Sequence, residues 1–444
     1  MRRNLTEGGV FKNVLLFSLP YLLSYFLQTL YGMADLFIVG QFEGVASTTA
    51  VSIGSQVMHM LTVMIVGLAM GSTVSIGQAV GGGREKQAAR SIGNTATLFM
   101  SLSVLLMAGL LLLRPIVRVM STPEAAVSGA EAYLTICFIG IPFITAYNIS
   151  SSIFRGLGDS KSPMYFIAVA CAVNIALDYL FMGALHLGSA GAALGTTLSQ
   201  AVSVAVSLIV IRKRNIGVPL AREDFKPDRQ AMGSILKIGV PVALQDGLIQ
   251  VSFIVITIIA NQRGLTDAAA VGIVEKVISF LFLVPSSMLS TVSALGAQNI
   301  GAGKPERAVR TLGYACLLAA GFGLTVAAAL QFVAEGIVGL FTTDSGAIAA
   351  GGQYLRGYIW DCLFAGLHFS FSGYFCACGK SGLSFLHIII AIALVRVPGV
   401  YLTSRLFPET LLPMGLATAA GSLLSVVICV VAFAALRRRE AAHG

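Results

Sequence analysis

Apolar runs long enough to cross a bilayer follow one another along almost the whole of this chain, and that pattern constrains the fold more than any other feature. A helix needs about 20 consecutive apolar residues to span the ~30 Å hydrocarbon core. Read between turn and charge signals, such runs lie near 14–40, 50–78, 92–113, 130–154, 164–186, 190–211, 234–260, 269–297, 311–332, 352–377, 384–405 and 412–436. Lipid offers no partner for an open backbone, so runs of this length are helices. Charged residues are only 11% of the chain, against roughly 25% in a soluble domain. The expected fold is therefore an all-α integral membrane protein of twelve transmembrane helices. The apolar run from Val14 to Val39 is too long for the core of a signal peptide and reads as a first span that is kept.

Orientation follows from which connections hold Lys and Arg. One side collects twenty-two: Arg2, Arg3, Lys12, Arg84, Lys86, Arg90, Arg155, Lys161, Arg212, Lys213, Arg214, Arg222, Lys226, Arg229, Lys237, Lys304, Arg307, Arg310, Lys380, Arg437, Arg438 and Arg439. The other has five: Arg114, Arg118, Arg263, Arg356 and Arg405. This places both termini in the cytoplasm and the protein in the cytoplasmic membrane. The net charge of +9 thus marks the inner face and does not call for nucleic acid as a partner.

The chain repeats itself. At an offset of 221, Pro20, Tyr133, Leu134, Phe154, Gly158 and Ser160 recur as Pro241, Tyr354, Leu355, Phe375, Gly379 and Ser381. At an offset of 220, Gln78, Gly81, Gly83, Ala88, Arg90 and Gly93 recur as Gln298, Gly301, Gly303, Ala308, Arg310 and Gly313. Six spans per repeat start each half on the same side, so the halves are expected to be two six-helix bundles related by a pseudo-two-fold axis along the membrane normal. The boundaries are an N-terminal lobe over 1–211, a polar cytoplasmic linker over 212–232 and a C-terminal lobe over 233–444.

Ionisable residues inside a span are costly and point to function. Asp35, Asp178, Asp246, Glu275 and Asp361 qualify, with Lys276 and Arg396. At ~1.5 Å per residue, Asp35, Asp178 and Thr196 share a depth in the outer half of the first bundle. Asn174 and Asp178 are spaced i, i+4 and share a face of the fifth span, while Gln28, Tyr31 and Asp35 share one of the first. Two carboxylates, an amide and a hydroxyl suffice to hold a small hard cation or to share a proton. The competing reading is a satisfied polar network that only pins helices together. Asp361 and Arg396 fall at similar depth in neighbouring spans, which suggests an ion pair.

Several motifs here resemble those of the multidrug and toxic compound extrusion (MATE) family. They are Tyr31-Gly32-Met33-Ala34-Asp35 with Val39-Gly40, Phe154-Arg155-Gly156-Leu157-Gly158-Asp159, Asn174-Ile175-Ala176-Leu177-Asp178 and Gln298-Asn299-Ile300-Gly301-Ala302-Gly303. The resemblance spans essentially the whole chain. It implies a pair of six-helix lobes that exports lipophilic, mostly cationic compounds in exchange for H⁺ or Na⁺. It also implies that Asp35, Asn174, Asp178 and Thr196 form the coupling-ion site, and Na⁺ would bind there. Gln28, Tyr31, Gln200, Asp246, Glu275 and Asp361 are candidates to line the cavity. The C-terminal half departs from the family pattern, since Asp246 follows Pro241 by only five residues, and this favours the N-terminal site.

Other signals carry less. Gly373 to Ser381 is one residue too long for a P-loop, so no ATP is expected. Cys137, Cys171, Cys316, Cys362, Cys376, Cys378 and Cys429 lie in apolar runs without CxxC spacing and read as packing residues. His59 is isolated. No nucleophile and base pair is placed for catalysis, so the chain is not expected to be an enzyme, and no cofactor is expected beyond the coupling ion. The expected partners are a small lipophilic or cationic substrate and membrane lipid, with the protein a monomer. The alternative is a lipid-linked oligosaccharide flippase, which would need cations for a pyrophosphate, and only Lys276 and Arg396 are at hand.

Overall fold

The computed structural model describes residues 4–120, 122–213 and 217–443, the last four of these in backbone only. Arg2, Arg3 and Arg214 of the charge pattern, and part of the 212–232 linker, lie outside the described residues. The elements run α1 (Val10–Phe42), α2 (Val45–Gly81), α3 (Glu85–Met107), α4 (Leu113–Val119), α5 (Glu124–Gly156), α6 (Lys161–Asp178), α7 (Gly188–Lys213) and α8 (Arg229–Asn261). They continue as α9 (Leu265–Leu281), α10 (Leu283–Gly301), α11 (Pro305–Gly339), α12 (Ser345–Tyr358), α13 (Trp360–Ala377), α14 (Ser381–Ala391), α15 (Val397–Leu406) and α16 (Leu412–His443). No strand occurs among the described residues.

Among the described residues, eleven continuous helical runs are long and apolar enough to cross a membrane. The tenth expected span, 352–377, is present as α12 and α13, which abut at Ile359. Helices of this kind expose apolar side chains: Leu111 is 85% and Phe332 86% accessible, as lipid-facing residues should be. The seven cysteines are free thiols.

The duplication is visible in the backbone. Gly83 and Gly303 adopt positive φ (67° and 71°), as do Gly158 and Gly379 (90° and 68°), in the left-handed region open to glycine. All four close the same helix-ending turn. Arg84 N donates to Ala79 O at 2.9 Å as Lys304 N does to Asn299 O at 2.8 Å, and Asp159 N to Phe154 O at 2.8 Å as Lys380 N does to Phe375 O at 2.8 Å. These bonds satisfy carbonyls that every helix end leaves open.

The chain divides into two compact units, residues 1–5 with 19–239 and residues 6–18 with 240–444. The first is built around Ile38, Val51, Tyr133, Leu134, Cys137 and Met182. The second is built around Val271, Val274, Tyr354, Leu355, Tyr358 and Met414. Both divisions within a helix fall just before a proline, Pro20 in α1 and Pro241 in α8. The start of α8 belongs to the first unit because Gly71 and Gly239 let α2 and α8 touch backbone to backbone: a Cβ on Gly239 would run into the Leu68 carbonyl. The linker is tied down in that unit too. The Asn94 amide donates to Asp224 O at 3.1 Å and accepts from Asp228 N at 2.7 Å, and Thr97 donates to Phe225 O at 2.7 Å. In the second unit the segment before α1 is held likewise, by Arg307 donating to Gly8 O at 3.1 Å and Lys304 to Thr6 O at 3.0 Å.

Candidate functional site

Within the first unit, α1, α6 and α7 bring together the four residues expected to bind the coupling ion. Thr196 donates its hydroxyl to Asp35 Oδ2 at 3.0 Å. Asp178 and Asn174, one turn apart on α6, lie within electrostatic range of Asp35. All three are buried: Asp35 is 3% accessible, Asn174 and Asp178 0%. Tyr31 Oη donates to the Thr196 carbonyl at 3.4 Å, and Ser199 Oγ to the same carbonyl at 2.8 Å.

This cluster is not a closed network. Asp35 Oδ1, both Asp178 oxygens and both Asn174 amide atoms are buried without a hydrogen-bond partner, and the Gln200 carbonyl oxygen nearby is in the same state. Native interiors leave only a few such atoms per hundred residues. Neither carboxylate has an ion-pair partner among the described residues. Two negative charges without a countercharge in a dry interior repel strongly, because the interaction grows as the dielectric falls. The donor set of carboxylate, amide and hydroxyl oxygens fits a hard monovalent cation or a shared proton. Among the described residues no group of three or more His, Cys, Asp or Glu is placed to hold a metal ion.

Gly195, which the sequence reading passed over, completes the site. A Cβ there would collide with Asp178 Oδ1 and approach Asn174 Nδ2 to 3.5 Å. Its bare backbone is what lets α7 close on the carboxylate. Adjacency to Thr196 was the only hint in the sequence.

The remaining candidates are dispersed. Gln28 is partly buried on α1 and makes no hydrogen bond to the group. Asp246, on α8 in the second unit, is partly buried and apart from the other acids. Glu275 Oε2 accepts from Thr257 at 3.1 Å while its Oε1 has no partner. Asp361 does pair with Arg396, Oδ2 to Nη1 at 3.6 Å. Arg396 also donates to Tyr358 Oη at 2.8 Å and lies 5.2 Å from the Phe253 ring centroid. Lys276 is exposed. Two buried histidines were missed: His387 Nε2 is 2.8 Å from Ser372 Oγ, and the His368 ring centroid is 5.4 Å from that of His387. The signal that could find them is an ionisable side chain inside a span.

Comparison with known proteins identifies the family. The MatE family model matches the chain twice, over residues 20–180 and 241–402, so that both matches begin at the repeated prolines. The probable multidrug resistance protein YpnP of Bacillus subtilis is 29% identical over 394 residues, 88% of each chain. The multidrug export protein MepA of Staphylococcus aureus is 25% identical over 421 residues, 91% of this chain and 89% of that one. The outward-facing structure of a multidrug resistance MATE family transporter superposes with a TM-score of 0.89 at 23% identity, covering 99% of this chain and 98% of the other. The chain belongs to the MatE family of membrane efflux transporters.

Proposed function

We propose that the protein is a secondary antiporter that exports lipophilic, mostly cationic compounds in exchange for H⁺ or Na⁺, and that Asp35, Asn174, Asp178 and Thr196 bind the coupling ion. The observation that carries this reading is the set of partnerless polar atoms on Asp35, Asn174 and Asp178, gathered at one buried point. A cation entering from outside neutralises the carboxylates and satisfies these atoms. Neutralisation changes how Asp35 holds α1 against α6 and α7. Pro20 lacks an N–H and so leaves α1 easier to bend. Bending α1 displaces bound substrate, which links ion entry to export. Both termini lie in the cytoplasm and the working unit is a monomer. The flippase alternative finds no support: of the two cations it relied on, Arg396 is paired with Asp361 and Lys276 is exposed.

The test is uptake of a fluorescent lipophilic cation into inverted vesicles under proton and sodium gradients imposed one at a time. Wild-type protein should respond to one of them. Asp35→Asn and Asp178→Asn should each lower gradient-driven transport by about tenfold or more, as expected when a buried charged ligand is lost, while the protein stays folded and inserted. Transport by well-expressed Asp35→Asn at the wild-type rate would refute the assignment.

A further inference from the structure

The first unit holds a second charged group, far from Asp35. Arg155 stands in the last turn of α5, partly buried, with its guanidinium 4.4 Å from the ring centroid of Tyr21. Tyr25 and Tyr147 are its other ionisable neighbours. Among the described residues it has no carboxylate partner, and its N–H groups donate to no protein acceptor. Other arginines in a buried setting have a carboxylate partner, Arg396 in Asp361 and Arg263 in Asp267 at 2.7 Å.

One face of the guanidinium is covered by the tyrosine ring, an arrangement worth only about 0.5–2 kcal/mol. Its edge looks onto a small cavity lined by Tyr21, Val66, Met70, Thr73, Asn148 and Ser152, with room for about one water-sized group. The Asn148 amide uses one N–H on the Ile144 carbonyl at 2.9 Å and has a second to offer. The Thr73 hydroxyl is committed to the Ser152 carbonyl at 3.3 Å, and the Ser152 hydroxyl to Ile149 O at 2.8 Å. The donors left over therefore belong to a fixed positive charge and an amide. A carboxylate or phosphate oxygen is the complement of that set, and a guanidinium fork engages such groups with two parallel bonds.

We infer that Arg155, Tyr21 and Asn148 form an anion-binding site that takes a single carboxylate or phosphate group at the cytoplasmic end of the first unit. The site is distinct from the coupling-ion site. Tyr21 and Asp35 are both on α1, about 21 Å apart by helical rise. The repeat shows that it is an addition to one half, because Cys376 occupies the position equivalent to Arg155. The anion comes either from a lipid headgroup or from solution. The room available excludes a whole drug molecule and admits one oxygen of an anionic group.

The experiment uses the full-length protein and follows thermal unfolding in two arms. In detergent, inorganic phosphate is titrated at constant ionic strength. In nanodiscs, phosphatidylglycerol replaces phosphatidylcholine. Saturable stabilisation by phosphate alone identifies a soluble anion, and stabilisation by phosphatidylglycerol alone identifies a lipid headgroup. Either must weaken by roughly tenfold or more in Arg155→Gln, as expected for loss of a charge-assisted bidentate contact, and by less in Arg155→Lys, which keeps the charge. Asn148→Ala should weaken it several-fold and, with Arg155→Lys, carries the test if Arg155→Gln does not fold. No stabilisation in either arm, or equal stabilisation of wild type and all variants, overturns the site.

Discussion

A glycine inside a helix costs about 1 kcal/mol relative to alanine, so Gly195 in α7 asks for a local reason. That reason is the Asp178 carboxylate, which occupies the space a methyl group would take. The obstacle is the free end of a side chain rather than backbone, so Gly195→Ala should leave stability within about 1–2 kcal/mol of wild type. Its effect should fall on coupling, since Asp178 must swing away from Asp35. Unfolding in detergent measured beside gradient-driven transport separates the two. The expected outcome is near-normal stability with transport reduced at least as far as in Asp178→Asn, and normal transport would show that Asp178 tolerates displacement. The residues of the candidate site are legible in the sequence. Asp35 and Asp178 stand out because charge inside an apolar run is rare, and helical spacing places Asn174 on one face with Asp178. Gly195 was not legible, because the need for a missing Cβ exists only once α6 and α7 are packed.

Helix breaks divide along the same line. The π-helical turn at Ile392–Arg396 is followed by Pro398, whose missing N–H frees the Leu394 carbonyl and loosens the turn before it, so a sign of it stands in the sequence. The break at Ile359 has no such sign. Gly357 there lies against Gly415, where a Cβ on Gly415 would come within 2.6 Å of Tyr358 N, so the crossing of α12 with α16 accompanies the interruption. The π-helical turn at Tyr179–Ala184 follows Asp178 directly. These breaks position chemistry: Arg396 on its π turn reaches α13 and pairs with Asp361, whose side chain is 0% accessible against 8% for Arg396. Removing one charge of a buried pair leaves the other uncompensated, at a cost of about 3–5 kcal/mol. Asp361→Asn should lower unfolding stability by that order and reduce transport only in proportion to folded protein. Full stability with lost transport would instead assign Asp361 a direct role in the transport cycle.

For the whole molecule the strongest expectation is topological. Reporter fusions near Asp224 and at Arg438 should report the cytoplasm, and fusions near Glu43 and Phe407 the outside; an external tail would overturn the even span count. By itself the sequence determined that the chain is helical and crosses a membrane, because backbone polar groups in lipid can be satisfied only within a segment. It also determined that the chain is duplicated, because turn glycines and prolines recur at a constant offset where apolar residues would match by chance. The tertiary structure alone decided which stretches form a compact unit, assigning residues 6–18 to the second and the start of α8 to the first. Sequence proximity favoured the boundaries at 211 and 233, whereas the packing of Gly71 on Gly239 and the bonds of Arg307 to Glu7 and Gly8 follow from side chains meeting in space. The same holds for Arg155, which reads as one more basic residue of a cytoplasmic turn and becomes an uncompensated charge only when α1 lays Tyr21 over it. Periodicity and charge are properties of a single segment and can be read in order along the chain. Compensation of a charge and room for a Cβ are properties of pairs, and the pairs exist only in the folded protein.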